Sequence, residues 1–195
     1  MKSIDMKSII ENEFNLHSQA VSNTLDACIL DIENAAKLCI ECLKSGNKLL
    51  IIGNGGSAAD AQHIAAEITG RYKTERKGLA AIALTTDTSA LTAIGNDFGF
   101  DKIFERQVEA LAFPGDILIG ISTGGSSLNV VKALKKANSL NCKTIGLSGR
   151  DGGEFNSVCD INIIARTHDT PRIQEMHIIF GHTICHLIDQ AFLKI

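Results

Sequence analysis

The sequence predicts an α/β domain built on a five-stranded, doubly wound parallel sheet and preceded by two N-terminal helices. Three observations predict it: short apolar runs of strand length, helical apolar spacing between them, and loops rich in glycine and serine where runs hand over to helices. Runs that are apolar throughout, rather than alternating, suit strands covered on both faces. Parallel strands so covered need right-handed helical crossovers.

Taken in order, apolar residues recur at helical spacing from Ile4 to about Leu43 (Leu25, Cys28, Ile29, Ile32, Ala36, Cys39), giving two helices, the second ended by Gly46. Strands are expected at Lys48–Ile52, Ala80–Leu84, Asp116–Ile121, Lys143–Leu147 and Asp160–Ile164. A helix of the Leu128 to Leu140 type follows the third strand, and a long one runs from about Arg172 to Leu193. The 195 residues suit a single domain, 1–195, with a helical extension over about 1–45.

The composition excludes several classes. A 45% hydrophobic and 21% charged chain is ordinary for a globular protein. A formal net charge of -3 offers no broad attraction to nucleic acid or to an anionic membrane. Met1 to Leu16 has no apolar run of the signal-peptide kind, and the apolar runs elsewhere fall far short of the roughly 20 residues of a membrane helix. A cytoplasmic location is expected. The 6 cysteines are read as reduced, buried and small; Cys39 and Cys42 form a CxxC, but inside a helical pattern and without a second pair to complete a zinc site.

In open parallel sheets ligands sit outside the carboxyl ends of the strands. There the first strand runs into Gly53-Asn54-Gly55-Gly56-Ser57-Ala58 and a helix. Gly53-x-Gly55-x-x-Ala58 fits the dinucleotide fingerprint, but the second strand ends in Ala83-Leu84-Thr85-Thr86 with Asp87 too late for the ribose-binding acid. The more general reading is an anion site made of glycine backbone and a helix N-terminus, with a plain tight turn as the alternative. The third strand ends in a similar loop, Ser122-Thr123-Gly124-Gly125-Ser126-Ser127. Ser122, Thr123 and Ser127 offer hydroxyl donors to phosphate oxygens, with helix capping by Ser126 as the plainer alternative. His63 and Glu67 stand at i and i+4, and Gln174 and His182 at i and i+8, each pair on one helix face. Imidazole, carboxylate and amide oxygen are plausible ligands for a divalent metal, although spacing alone also fits a surface pair. His17, His168, His177 and His186 are read as solvated or structural.

Together these blocks resemble the sugar isomerase (SIS) domain family, of flavodoxin-like fold, and within it the sedoheptulose 7-phosphate isomerases. The resemblance covers most of the chain. It rests on Gly53-Asn-Gly-Gly-Ser57, His63-x-x-x-Glu67-x-x-Gly-Arg71-Tyr72, Gly95-Asn96-Asp97-Phe-Gly-Phe100, Ile121-Ser-Thr123 and Arg172-Ile-Gln174-Glu-x-His177-x-x-x-x-His182. It implies a sugar-phosphate site lined by Asn54, Gly55, Gly56, Glu67, Asn96, Asp97, Ser122, Thr123, Gly124, Ser127 and Gln174. It implies one zinc per subunit on His63, Glu67, Gln174 and His182, with Glu67 and His182 as the acid/base pair. Members are homotetramers with sites at subunit boundaries. They interconvert sedoheptulose 7-phosphate and D-glycero-D-manno-heptose 7-phosphate, the first step towards the ADP- or GDP-heptose of bacterial surface polysaccharides such as lipopolysaccharide or capsule.

Two departures stand out. Gly124 replaces a serine common among relatives, and Pro171 stands where some carry an aspartate, with Asp169 close by. The chemistry suits the residue types independently, because moving a carbonyl between C2 and C1 needs a base for the carbon-bound proton and a second group for the oxygens. One competing reading is a non-catalytic SIS protein that binds the replication initiator DnaA; that group lacks the Glu67-type carboxylate and the His182-type imidazole. Another is a sugar-phosphate-sensing regulator, which carries a DNA-binding module not seen in this sequence.

Overall fold

The computed structural model describes residues 4–193. Its first element corrects the expectation of two helices: α1 is one continuous helix, Met6–Lys44, about 58 Å long at 1.5 Å per residue. The physical reason is in the sequence, since no proline or glycine interrupts it and Asp5 caps its start by accepting from the Ser8 amide at 3.2 Å. It ends where Gly46 takes a left-handed φ of 83°.

The remaining elements alternate as expected. They are β1 (Leu49–Gly53), α2 (Gly56–Thr69), β2 (Ala81–Ala83), α3 (Thr88–Phe98), a 3-10 turn (Phe100–Lys102), α4 (Ile103–Leu111) and β3 (Ile117–Ile121). After them come α5 (Leu128–Ser139), β4 (Lys143–Gly149), the short α6 (Phe155–Val158), β5 (Ile161–Ala165) and α7 (Thr170–Ala191). The sheet is wholly parallel, in the order β2-β1-β3-β4-β5. β2 is shorter than expected, at 3 residues, and pairs with β1 at the sheet edge.

Successive residues of a strand point to opposite faces, so each strand serves two cores. Leu49, Ile51, Ile117 and Ile119 pack with α1, α2 and α7, whereas Leu50, Ile52 and Leu118 pack with α4 and α5. Both faces are covered, which is why the strand sequences read as continuous apolar runs. Among the described residues no helix is long and apolar enough to cross a membrane.

Cys39 and Cys42 are buried in the α1 face of this core, and burial raises both thiols, that of Cys42 to about 12. They pack as small residues within the hydrophobic core. Strand order reverses between β1 and β3, which pair from Leu49/Ile117 to Gly53/Ile121. The two glycine/serine loops therefore leave the sheet side by side, at the topological switch point of the fold.

Candidate active site

Each loop enters its helix without a side-chain cap. α2 begins after Gly55, and α5 begins after Ser127, and neither cap residue accepts a hydrogen bond from the first turn through its side chain. Ser126 is exposed and lies before the cap position, so the capping alternative fails. The Ser127 hydroxyl instead meets that of Ser122 at 2.9 Å, across the mouth of the loop. Thr123 and Gly124 are half-buried beside them. Asn54 is held by a residue that the sequence did not single out: Asn129, buried in the first turn of α5, exchanges two amide hydrogen bonds with it, each 2.9 Å. That pair ties one loop to the other. Asp87, too late for a dinucleotide acid, caps α3 by accepting from the Ala90 amide at 2.9 Å.

α7 runs across the same rim. It packs tightly on α2 at Gly181, where a Cβ would fall 2.5 Å from Ile64 Cδ1. Only a glycine allows that approach, and the next residues on each side are His182 and His63. His182 Nε2 lies 3.4 Å from His63 Nε2, and His63 Nε2 lies 3.2 Å from Glu67 Oε1. The donor atoms of His63, Glu67 and His182 all fall within 4.8 Å of one another. Nitrogens 3.4 Å apart and a nitrogen–oxygen pair at 3.2 Å match the edges, roughly 3.3–3.4 Å, of a tetrahedron with bonds of about 2.0–2.1 Å to a zinc-type ion. The donor set and its spacing thus fit a divalent metal.

Gln174, two turns before His182 on α7, reaches the first loop. A Cβ on Gly56 would fall 2.5 Å from its Nε2, so glycine at 56 makes room for this amide. Asn96 and Asp97 stand apart: both are exposed on α3, joined by a 2.8 Å hydrogen bond, and α3 packs on α4 and the 3-10 turn.

The site contains a further ring. Tyr72 lies over His182 with centroids 5.0 Å apart and planes tilted by 30°, and 6.2 Å from His186. Burial, then repulsion from His63, holds the His182 pKa below the usual histidine value, with Glu67 opposing and Lys73 adding to the shift. His182 is thus neutral near pH 7, able to bind a metal or to exchange a proton with an oxygen. His17 pairs with Glu175 at 2.7 Å, and His177 is wholly buried, in keeping with structural roles. His168 is exposed.

Comparison with known proteins shows the family. Residues 14–149 match the family described as SIS domain. The chain is 64% identical to a phosphoheptose isomerase of Aliarcobacter butzleri, over 94% of this chain and 97% of that one. It is 56% identical to a phosphoheptose isomerase of Campylobacter jejuni, over 96% and 100%. Among solved structures, the phosphoheptose isomerase of Neisseria gonorrhoeae superposes with a TM-score of 0.90 at 45% identity, covering 95% of this chain and 99% of that one. That of Francisella tularensis superposes at 0.92 with 37% identity, over 96% and 100%. By fold and likeness, the chain belongs to the SIS domain family and, within it, to the phosphoheptose isomerases.

Proposed function

We propose that this chain is an aldose–ketose isomerase that interconverts D-sedoheptulose 7-phosphate and D-glycero-D-manno-heptose 7-phosphate through an enediol. The observation that carries the reading is the convergence of Glu67 with two imidazoles beside paired loops suited to phosphate.

The loops hold the phosphate. Hydroxyls of Ser122, Thr123 and Ser127, with backbone amides of Gly124 and of Asn54 to Gly56, supply donors without fixed charge, so the product also leaves. Glu67 takes a proton from C1 of the ketose and returns it to C2. His182 serves the oxygens: the C2 carbonyl oxygen gains a proton while the C1 hydroxyl gives one up, and a neutral imidazole accepts the one and delivers the other. His63, Glu67, Gln174 and His182 would hold one zinc per subunit, which when bound would supply Lewis-acid stabilisation of negative oxygen. Tyr72 covers one face of His182 and limits its access to water.

The active form is a homotetramer. An apolar groove of about 340 Å³ between α1 and α7, lined by Val21, Leu25, Ile29, Met176, Ile179 and Leu187, gives neighbouring subunits a surface to cover. The exposure of Asn96 and Asp97 suits a site completed at a subunit boundary. The setting is the cytoplasm, at the entry to ADP- or GDP-heptose synthesis. Incubating the pure protein with sedoheptulose 7-phosphate and following aldose formation tests the proposal; no conversion, with or without added zinc, refutes it.

A further inference from the structure

The segment between α2 and β2, which carries Tyr72, is fastened by a buried ion pair. Arg76 and Asp189 have side chains 1% and 0% exposed, and Arg76 Nε donates to Asp189 Oδ1 at 2.7 Å. The rest of the guanidinium faces backbone. Nη2 donates to the Glu67 carbonyl at 3.0 Å, and Nη1 donates to those of Ile68 at 2.8 Å and Lys77 at 3.1 Å. These include last-turn carbonyls of α2, which has no basic residue of its own there. The other oxygen of Asp189 accepts from the Lys73 and Thr74 amides at 2.8 and 2.9 Å. Burial alone would raise this carboxyl, but the Thr74 and Lys73 amides and Arg76 outweigh it and hold it below the ordinary aspartate range.

The position of the pair matters more than its strength. Asp189 lies seven residues after His182, two turns along the same face of α7. Arg76 grips the carbonyl of Glu67 itself. The amides that Asp189 holds immediately follow Tyr72, whose ring covers His182. One hydrogen-bonded unit thus joins the backbone of the carboxylate, the helix of the imidazole and the aromatic cover. A buried ion pair is weak evidence for stability as such, because desolvation offsets much of its attraction.

We propose that Arg76 and Asp189 form a positioning clasp for the isomerase centre, fixing Glu67 against His182 and seating Tyr72 over the imidazole; this rests on the isomerase reading. The test uses Asp189→Asn, nearly isosteric, and the double variant Arg76→Met/Asp189→Leu, which buries no unpaired charge. In both, kcat falls about 10–100-fold, as for other residues that orient ligands and catalysts, while KM moves by less than about threefold. Tyr72 is the single tyrosine and there is no tryptophan, so the tyrosine near-ultraviolet circular dichroism band reports this residue alone. It collapses in both variants while the far-ultraviolet spectrum is kept. Arg76→Lys, which keeps the charge but not the fork of donors, does not restore kcat; full restoration overturns the clasp.

A folded variant with the wild-type tyrosine band and kcat within about twofold of wild type also overturns it. Should neither variant fold, hydrogen exchange on the wild type decides, and Lys73 and Thr74 amides that exchange as freely as unbonded loop amides refute the clasp. An inactive wild type whose tyrosine band is still lost in Asp189→Asn places the failure in the isomerase reading. An active wild type with indifferent variants places it in the clasp.

Discussion

His177 gives α7 a built-in acid weakness. It is wholly buried, and among the described residues neither ring nitrogen meets a partner in good hydrogen-bond geometry, the Ser148 backbone being the polar group nearby. Burial lowers its pKa to about 4, the Ser148 backbone opposing the shift only in part. The unfolded chain takes up this proton near pH 6.5 and the folded chain only near pH 4, so stability falls as pH drops between those values. By linkage the loss from this one group is about 3 kcal/mol over the whole interval, with about 2 kcal/mol gone between pH 7 and pH 5. Below about pH 4 the folded form is protonated too, and the group contributes no further slope.

Replacing His177 with leucine removes the titration and two unsatisfied nitrogens, so the variant should be at least as stable as wild type near pH 7. Urea unfolding of both proteins at the two pH values is the assay. Wild type should lose about 2 kcal/mol more than His177→Leu between pH 7 and pH 5, contributions from the other histidines being common to both. Losses that agree within about 0.5 kcal/mol would show that His177 titrates normally, and the reasoning from burial would fail.

Four further outcomes are expected at the site. Glu67→Gln and His182→Gln should each lower kcat by about 10²–10⁴-fold with the fold intact, read by steady-state kinetics beside thermal melting. Gly56→Ala should push Gln174 aside and cost about 10²-fold in kcat/KM, yet leave stability within about 1 kcal/mol, since only the end of a flexible side chain must move. Asn129→Leu should strip Asn54 of its partner, lowering stability by about 1–3 kcal/mol in urea titrations and raising KM. Metal analysis should find one zinc per subunit, with EDTA abolishing turnover and zinc restoring it; EDTA-insensitive turnover in metal-free protein would remove zinc from the mechanism.

What could be read in the chain was what short-range physics fixes. Continuous apolar runs marked strands covered on both faces, and the core falls where they placed it. Glycine and serine after β1 and β3 marked the places where chain turns into helix, and the spacing of His63 to Glu67 set both on one face of α2. Helical periodicity from Ile4 to Leu43 was legible too, although the division into two helices was not warranted where no glycine or proline breaks the run.

Tertiary structure decided whatever depends on residues far apart in sequence. His63 and His182 are 119 positions apart and meet because a glycine at 181 lets α7 settle on Ile64 of α2. Asn129 had no sequence signal beyond a polar residue in a first helical turn, and its partner Asn54 is 75 positions away. The Arg76–Asp189 pair, 113 positions apart, is invisible to periodicity because Asp189 reads as one more polar residue near a helix end. The sequence by itself determined which faces and loops are offered, through chain geometry and burial of apolar surface. Only packing decided which of those faces meet, and therefore that a carboxylate, two imidazoles and a tyrosine ring share one site.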